Sequence, residues 1–269
     1  MDYFYPCGRT KEDTKDRLSE KREIMFNLFK AEWLKLKWTK ILILSVIILV
    51  LSVFLNFSFY ATSPKFSVDR DGWNAYFMDL VSTINFLTGY MSYYILTIFI
   101  YTREYQENTH IALFTNPVRR TRIYFSKLLV IYTYIAVSLL LAFVISAVLG
   151  TLITSRPLTS EIVLYQLGVF SKMFLMHAML IPIISFFAIR WEKFITAVVA
   201  MCTVICLNFV LINVTGNTLY PWTVPVLFSP HGTLGRTYTH VPNGITSICF
   251  IFVLGLILSL RSFSSIKKK

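Results

Sequence analysis

Few residues in this sequence are placed for chemistry. Glu104 and Glu107 stand in Thr102-Arg103-Glu104-Tyr105-Gln106-Glu107-Asn108-Thr109-His110, a polar stretch between two apolar ones. Lys172 and His177 lie inside another apolar segment. An ionisable group within a membrane span is a functional candidate by default. Lys172 is close to the end of its span, where a lysine snorkels to the interface. His177, near Pro182, suits an interhelical hydrogen bond better than a metal. There is no Gly-x-x-x-x-Gly-Lys-Ser/Thr phosphate loop, no His-Glu-x-x-His pair and no Gly-x-Ser-x-Gly elbow. The chain therefore reads as a non-enzyme that binds no cofactor or metal of its own. Carboxylates are nearly missing from the apolar segments, which disfavours a proton- or sodium-driven carrier. If the protein moves something, the energy must enter from elsewhere.

The entry point is residues 102–127. Glu104 to Phe114 can form a short helix, with Thr102 as its N-cap and acids in the first turn, where the helix dipole favours them. Pro117 should stop it near Asn116. Ile111 and Phe114 share one side at i, i+3 and could fill an apolar pocket. Arg119, Arg120 and Arg122 follow, suited equally to acids on a partner and to lipid phosphates. An ordinary basic loop is an equally good account of the stretch from spacing alone.

The elements that position this stretch are apolar. The chain has 269 residues, 55% hydrophobic and 15% charged, too oily for a soluble domain. The net charge of +12 does not indicate nucleic acid, because the basic residues collect beside apolar runs. Six spanning helices are expected, at 41–59, 80–101, 128–154, 170–189, 194–214 and 245–260, each near the ~20 residues a bilayer requires. With the N-terminus in the cytoplasm, 21 Lys and Arg lie inside and 4 outside, so the positive-inside rule places both termini in the cytoplasm. Cys202, Cys206 and Cys249 sit within apolar segments and read as small core-packing residues.

Residues 1–24 are polar and charge-balanced and read as a disordered cytoplasmic tail, with Met1 and Met25 both open as the natural start. From Met25, Phe26, Phe29, Trp33 and Leu36 recur at helical spacing among lysines, as in a helix lying in the membrane interface. Outside, Trp73, Tyr76 and Phe77 suggest an interfacial aromatic belt. Leu219 to Phe228 is too apolar for a free loop and too proline-broken to span. It reads either as a re-entrant segment or as a loop lying flat on the outer headgroups.

These residues resemble the ABC-2-type permeases. Glu32-Trp33-Leu34-Lys35-Leu36-Lys37 before the first span is similar to the start of that family. So is Arg103-Glu104-Tyr105-Gln106-Glu107-Asn108-Thr109, followed by Pro117-Val118-Arg119-Arg120, by Tyr124 and by Lys127-Leu128-Leu129. Tyr220-Pro221-Trp222-x-x-Pro225 resembles the outer segment before the last helix in permeases of lantibiotic and bacitracin self-protection. The resemblance covers residues from about 25 onward. It implies an all-α fold of six transmembrane helices with an interfacial helix, a coupling helix and a long outer segment. It implies two separate ATPase subunits carrying ATP and Mg, and a second permease copy or paralogue, all within membrane lipid. ATPase coupling would fall to Glu104, Thr109, Ile111, Phe114, Pro117, Arg119 and Arg120, and an outer gate to Tyr220, Pro221, Trp222 and Pro225. The implied function is ATP-driven export of an amphiphile such as a peptide antibiotic. The alternative is a non-transporting membrane interaction or sensor subunit, or an intramembrane enzyme.

Overall fold

The computed structural model describes residues 11–37, 39–63, 67–107, 119–215, 219–227 and 241–265. Among them there are helices and no strands. In order they are α1 (Lys11–Leu36), α2 (Lys40–Thr62), α3 (Val68–Thr83), a π-helical turn (Ile84–Thr88), α4 (Gly89–Gln106), α5 (Arg120–Thr151), α6 (Ser160–Trp191), α7 (Phe194–Thr215), a 3-10 turn (Pro221–Thr223), α8 (Val224–Leu227) and α9 (Val241–Ser265). Six stretches are long and apolar enough to cross a bilayer: α2, Asp71–Gln106 (running through α3, the π turn and α4), α5, α6, Phe194–Ile212 and Asn243–Phe263. They coincide in number and order with the spans expected from hydropathy. Most are longer, because their polar ends continue as helix.

Two ends of the bundle can be told apart. The basic end gathers the close of α1, the close of α4, the start of α5 and the α6–α7 turn. At that turn Glu192 adopts a left-handed conformation (φ 57°), which reverses the chain within two residues. The opposite end gathers α3, the start of α6 and residues 219–227. The α3 entry is capped reciprocally: the Ser67 hydroxyl accepts from Asp69 N–H (3.2 Å), and Asp71 accepts from Ser67 N–H (3.1 Å). Gly72 then kinks the chain at φ 85°, a conformation that a residue with a Cβ rarely adopts.

Three expectations change here. Trp73, Tyr76 and Phe77 are buried, not part of an interfacial belt. Trp73 Nε1 donates to the Arg156 carbonyl (3.2 Å), Tyr76 donates to the Ser146 carbonyl (3.2 Å), and Phe77 stacks on Phe143. α3 folds its aromatic face onto α5, which satisfies the polar tips that would otherwise have sought water. Cys202, Cys206 and Cys249 are exposed on the outward faces of α7 and α9. In a bilayer an outward face is as apolar as the core, so hydropathy cannot separate the two. Helix α1 begins at Lys11, inside the stretch read as a disordered tail, and no glycine or proline interrupts it before Leu36.

The most extensive helix pair is α6 with α9. Its closeness depends on Gly255, where a Cβ would lie 2.6 Å from Ile183 N and 3.0 Å from the Pro182 carbonyl carbon. Those are backbone atoms and cannot swing aside. Gly255→Ala should therefore push the two helices apart and cost about 1–3 kcal/mol. A Cβ at Gly168, in the same α6, meets nothing within 4 Å, so Gly168→Ala is the control. Thermal unfolding in detergent should show a lowered Tm for the first and an unchanged Tm for the second.

Candidate functional site

At the basic end three helices meet around one buried ammonium. Lys127, one turn and more into α5, is 2% exposed. Its Nζ donates to Glu32 Oε2 on α1 (3.0 Å), to Glu104 Oε1 on α4 (2.8 Å) and to the Ile100 carbonyl (3.3 Å). An ammonium has three donors, and all three are used. Lys35 adds a second cation, 2.7 Å from Glu32 Oε1 and 3.6 Å from Glu104 Oε1. Among the described residues two acids and two lysines meet here, with Lys127 and both acids buried and Lys35 reaching solvent. Arg103 Nη1 donates to the Lys35 carbonyl (2.6 Å) in the last turn of α1, where the helix dipole favours a cation. The same guanidinium pairs with Glu107 (2.7 Å).

Just inward, Tyr124 of α5 ties four helices together. Its carbonyl accepts from Tyr101 (3.3 Å), and its hydroxyl accepts from Ser259 (2.8 Å) and lies 3.2 Å from Ser185 Oγ. Phe29 and Trp33 pack stacked against the core and Leu36 is buried, so this face of α1 rests on the bundle; Phe26 stays exposed.

Against the residues expected to couple to a partner, the geometry is mixed. Glu104 is buried and faces Lys127, not outward. Thr102 is not an N-cap: the span runs on through it to Gln106, and its hydroxyl donates to the Ile98 carbonyl (2.8 Å) within the helix. Arg119 is the exposed N-cap residue of α5, and Arg120 is its first, half-buried residue. Thr109, Ile111, Phe114 and Pro117 lie outside the described residues. The charge cluster thus holds both chain ends from which that segment departs. Lys127 and Glu32 were visible in the sequence only within family-like motifs. Nothing in the spacing of residues 95 apart shows that they pair.

At the opposite end residues 219–227 are drawn into the bundle. Trp222, Pro225, Val226 and Leu227 are buried, while Tyr220 and Pro221 are half-buried. Tyr90 donates to the Trp222 carbonyl (2.5 Å), and Asn85 Nδ2 donates to the Pro225 carbonyl (2.8 Å). Asn85 Oδ1 in turn accepts from His177 Nε2 (3.1 Å), the interhelical bond expected of that histidine. Backbone carbonyls satisfied by protein side chains show a segment packed into the protein, as the re-entrant reading requires, and not a loop lying free of the bundle. Tyr220 donates to the Val204 carbonyl (3.1 Å), and burial pushes its hydroxyl pKa up to about 12. Asn85 itself sits in the π turn, a local irregularity that clusters at functional sites.

Six helices long and apolar enough to cross a bilayer define a multi-pass membrane protein. The chain belongs to the ABC-2 family transporter proteins, whose pattern it matches over residues 28–214. It is similar to a bacitracin transport permease protein of Bacillus licheniformis, 24% identical over 190 residues, which is 71% of this chain and 90% of the relative. The chain is therefore an ABC transporter permease.

The cluster makes a pH prediction. Burial works to raise the Glu32 pKa, but Lys127 and Lys35 outweigh it and hold the carboxyl below its ordinary value. A depressed acid contributes stability above its unfolded pKa, of about 4.3, and that contribution is lost as pH falls through the folded value. In Lys127→Met, burial is opposed by Lys35 alone. Glu32 should then take up its proton at higher pH, and the loss of two buried ion pairs should cost about 3–5 kcal/mol at neutral pH. Melting temperatures across pH 3–8 should show the variant's acid-sensitive limb shifted upward from wild type. Glu32→Gln should flatten that limb.

Proposed function

We propose that this chain is the export subunit of an ATP-driven transporter, with hydrolysis supplied by a separate cytoplasmic ATPase that docks at the basic end. The observation that carries this reading is the Glu32–Lys127–Glu104 cluster. It fixes α1, α4 and α5 to one another beside Glu107 and Arg119, the described residues on either side of the coupling segment. A segment that receives a push needs rigid roots, or the push is spent in local bending. Beside it a concave surface of about 440 Å³ is lined by Tyr105, Gln106 and residues 191–196, giving a partner a second place to bear. The excess of Lys and Arg at this end supports a cytoplasmic location, with both termini inside the cell membrane.

Ile111 and Phe114 are the apolar contacts of the coupling segment, and Arg119 and Arg120 meet acids of the ATPase. Glu104, turned inward, anchors the root instead of touching the partner. At the other end Tyr220, Pro221, Trp222 and Pro225 form the outer gate, closed by Asn85 and Tyr90. The bacitracin transport permease among its relatives supports a peptide antibiotic or similar amphiphile as cargo. A second permease copy completes the pathway.

Phe114→Asp tests the coupling. It places an unpaired charge in the proposed apolar contact, at a cost of several kcal/mol if the site is dry. The variant should insert and dimerise normally but lose its ATPase in pull-down, with transport lost in parallel. Retention of the ATPase at wild-type affinity would remove this segment from the interface.

A further inference from the structure

The opposite end holds a cavity that neither the charge cluster nor the coupling segment uses. Its volume is about 320 Å³, within the range of small-molecule sites, and Asn85, Gly168, Lys172, Met173, Met176 and Pro225 are among its lining residues. Its walls differ in character. Met173 and Met176, with Val81, Leu164 and Val169, make an apolar trough that adapts to chain shape. Lys172 stands at the mouth, exposed, and among the described residues no carboxylate pairs with it. Lys172 lies twelve residues beyond Ser160, about 18 Å along α6 at 1.5 Å per residue. The 32-residue helix is about 48 Å long and overshoots a hydrocarbon core of about 30 Å. With the overshoot at this end, the ammonium lies near the edge of the hydrocarbon, and the cavity lining extends along α6 on both sides of it, from Leu164 to Met176. At the inner wall Asn85 belongs to the π turn, and the His177 Nδ1 behind it is buried with no hydrogen-bond partner among the described residues.

We propose that this cavity binds an amphiphile with an anionic headgroup, taken from the outer leaflet: a phosphate or carboxylate on Lys172 and an acyl chain against Met173 and Met176. A lone snorkelling lysine would explain the charge but not the trough. An acyl groove alone would not place a cation at its mouth. Gly168 is one turn from Lys172 on the same helix face and lines the cavity, and a Cβ there would meet nothing within 4 Å, so a bulky side chain has room to occupy the entrance. The site's orientation toward the outer leaflet rests on the topology proposed above. Its binding does not depend on the ATPase.

The test uses the purified permease alone in a nonionic detergent, with native mass spectrometry reading the first bound phosphatidylglycerol against phosphatidylcholine. Wild type should prefer phosphatidylglycerol by at least tenfold. Lys172→Gln should erase that preference, Lys172→Arg should keep it within threefold, and Gly168→Trp should weaken binding of the anionic lipid at least tenfold. Equal binding of the two lipids by wild type overturns the proposal. So does an unchanged Gly168→Trp, which marks a headgroup contact without a cavity. An unchanged Lys172→Gln marks an acyl groove indifferent to charge, and also overturns it. Inorganic phosphate at millimolar concentration should not displace the lipid; full displacement would identify a site for the free anion instead. ATPase pull-down of the same variants should be unaffected, so failure here leaves the coupling reading intact.

Discussion

The structure depends on one buried ammonium. Lys127 is the point where α1, α4 and α5 are held in register, and each of its three protons is committed to a different acceptor. In a bilayer the hydrophobic effect does not drive helices together as it does in water, so packing and polar contacts carry more of the specificity. A neutral group of two acids and two lysines is directional where apolar packing is not. The same low dielectric that strengthens it makes any unpaired member costly.

Helix α4 carries this constraint across the membrane. Its buried face reads Tyr90, Tyr93, Tyr94, Thr97, Tyr101 and Glu104, a polar and aromatic stripe at three- and four-residue spacing. One end of the stripe holds the Trp222 carbonyl through Tyr90, and the other holds Lys127 through Glu104. Residues 219–227 and the charge cluster are therefore attached to the same helix. Of the intervening hydroxyls, Thr97 donates to the Tyr93 carbonyl (2.7 Å) and Tyr101 to the Tyr124 carbonyl on α5 (3.3 Å), while those of Tyr93 and Tyr94 are buried with no hydrogen-bond partner among the described residues.

The number and order of the spans were legible because a run of about twenty apolar residues matches the thickness of a bilayer and is too long for most buried helices in water. Their ends were not. Hydropathy stops the second span at Tyr101 and starts the third at Leu128, yet both helices run further because Glu104 and Lys127 neutralise each other. The burial of Trp73, Tyr76 and Phe77 was hidden for a related reason: a short polar-looking helix is read as loop until a neighbour is known to accept its hydrogen bonds. Leu219 to Leu227 was legible as unusual through its prolines and absence of acids. Asn85 and Tyr90, which hold it, gave no local signal; an amide and a hydroxyl within an apolar run announce a partner without naming it.

The contact at Gly255 has a mechanical consequence. Where two helices meet backbone to backbone, no layer of side chains remains to repack, and sliding by even a fraction of a turn would bring atoms into collision. α6 and α9 thus behave as one beam, further pinned where Ser185 and Ser259 both engage the Tyr124 hydroxyl. Helix α2 is held differently, through side chains: Asn56 donates to the Tyr76 carbonyl (3.2 Å), and Tyr134 of α5 donates to Ser45 Oγ (2.8 Å). A movement that reaches either α6 or α9 must therefore carry the other with it.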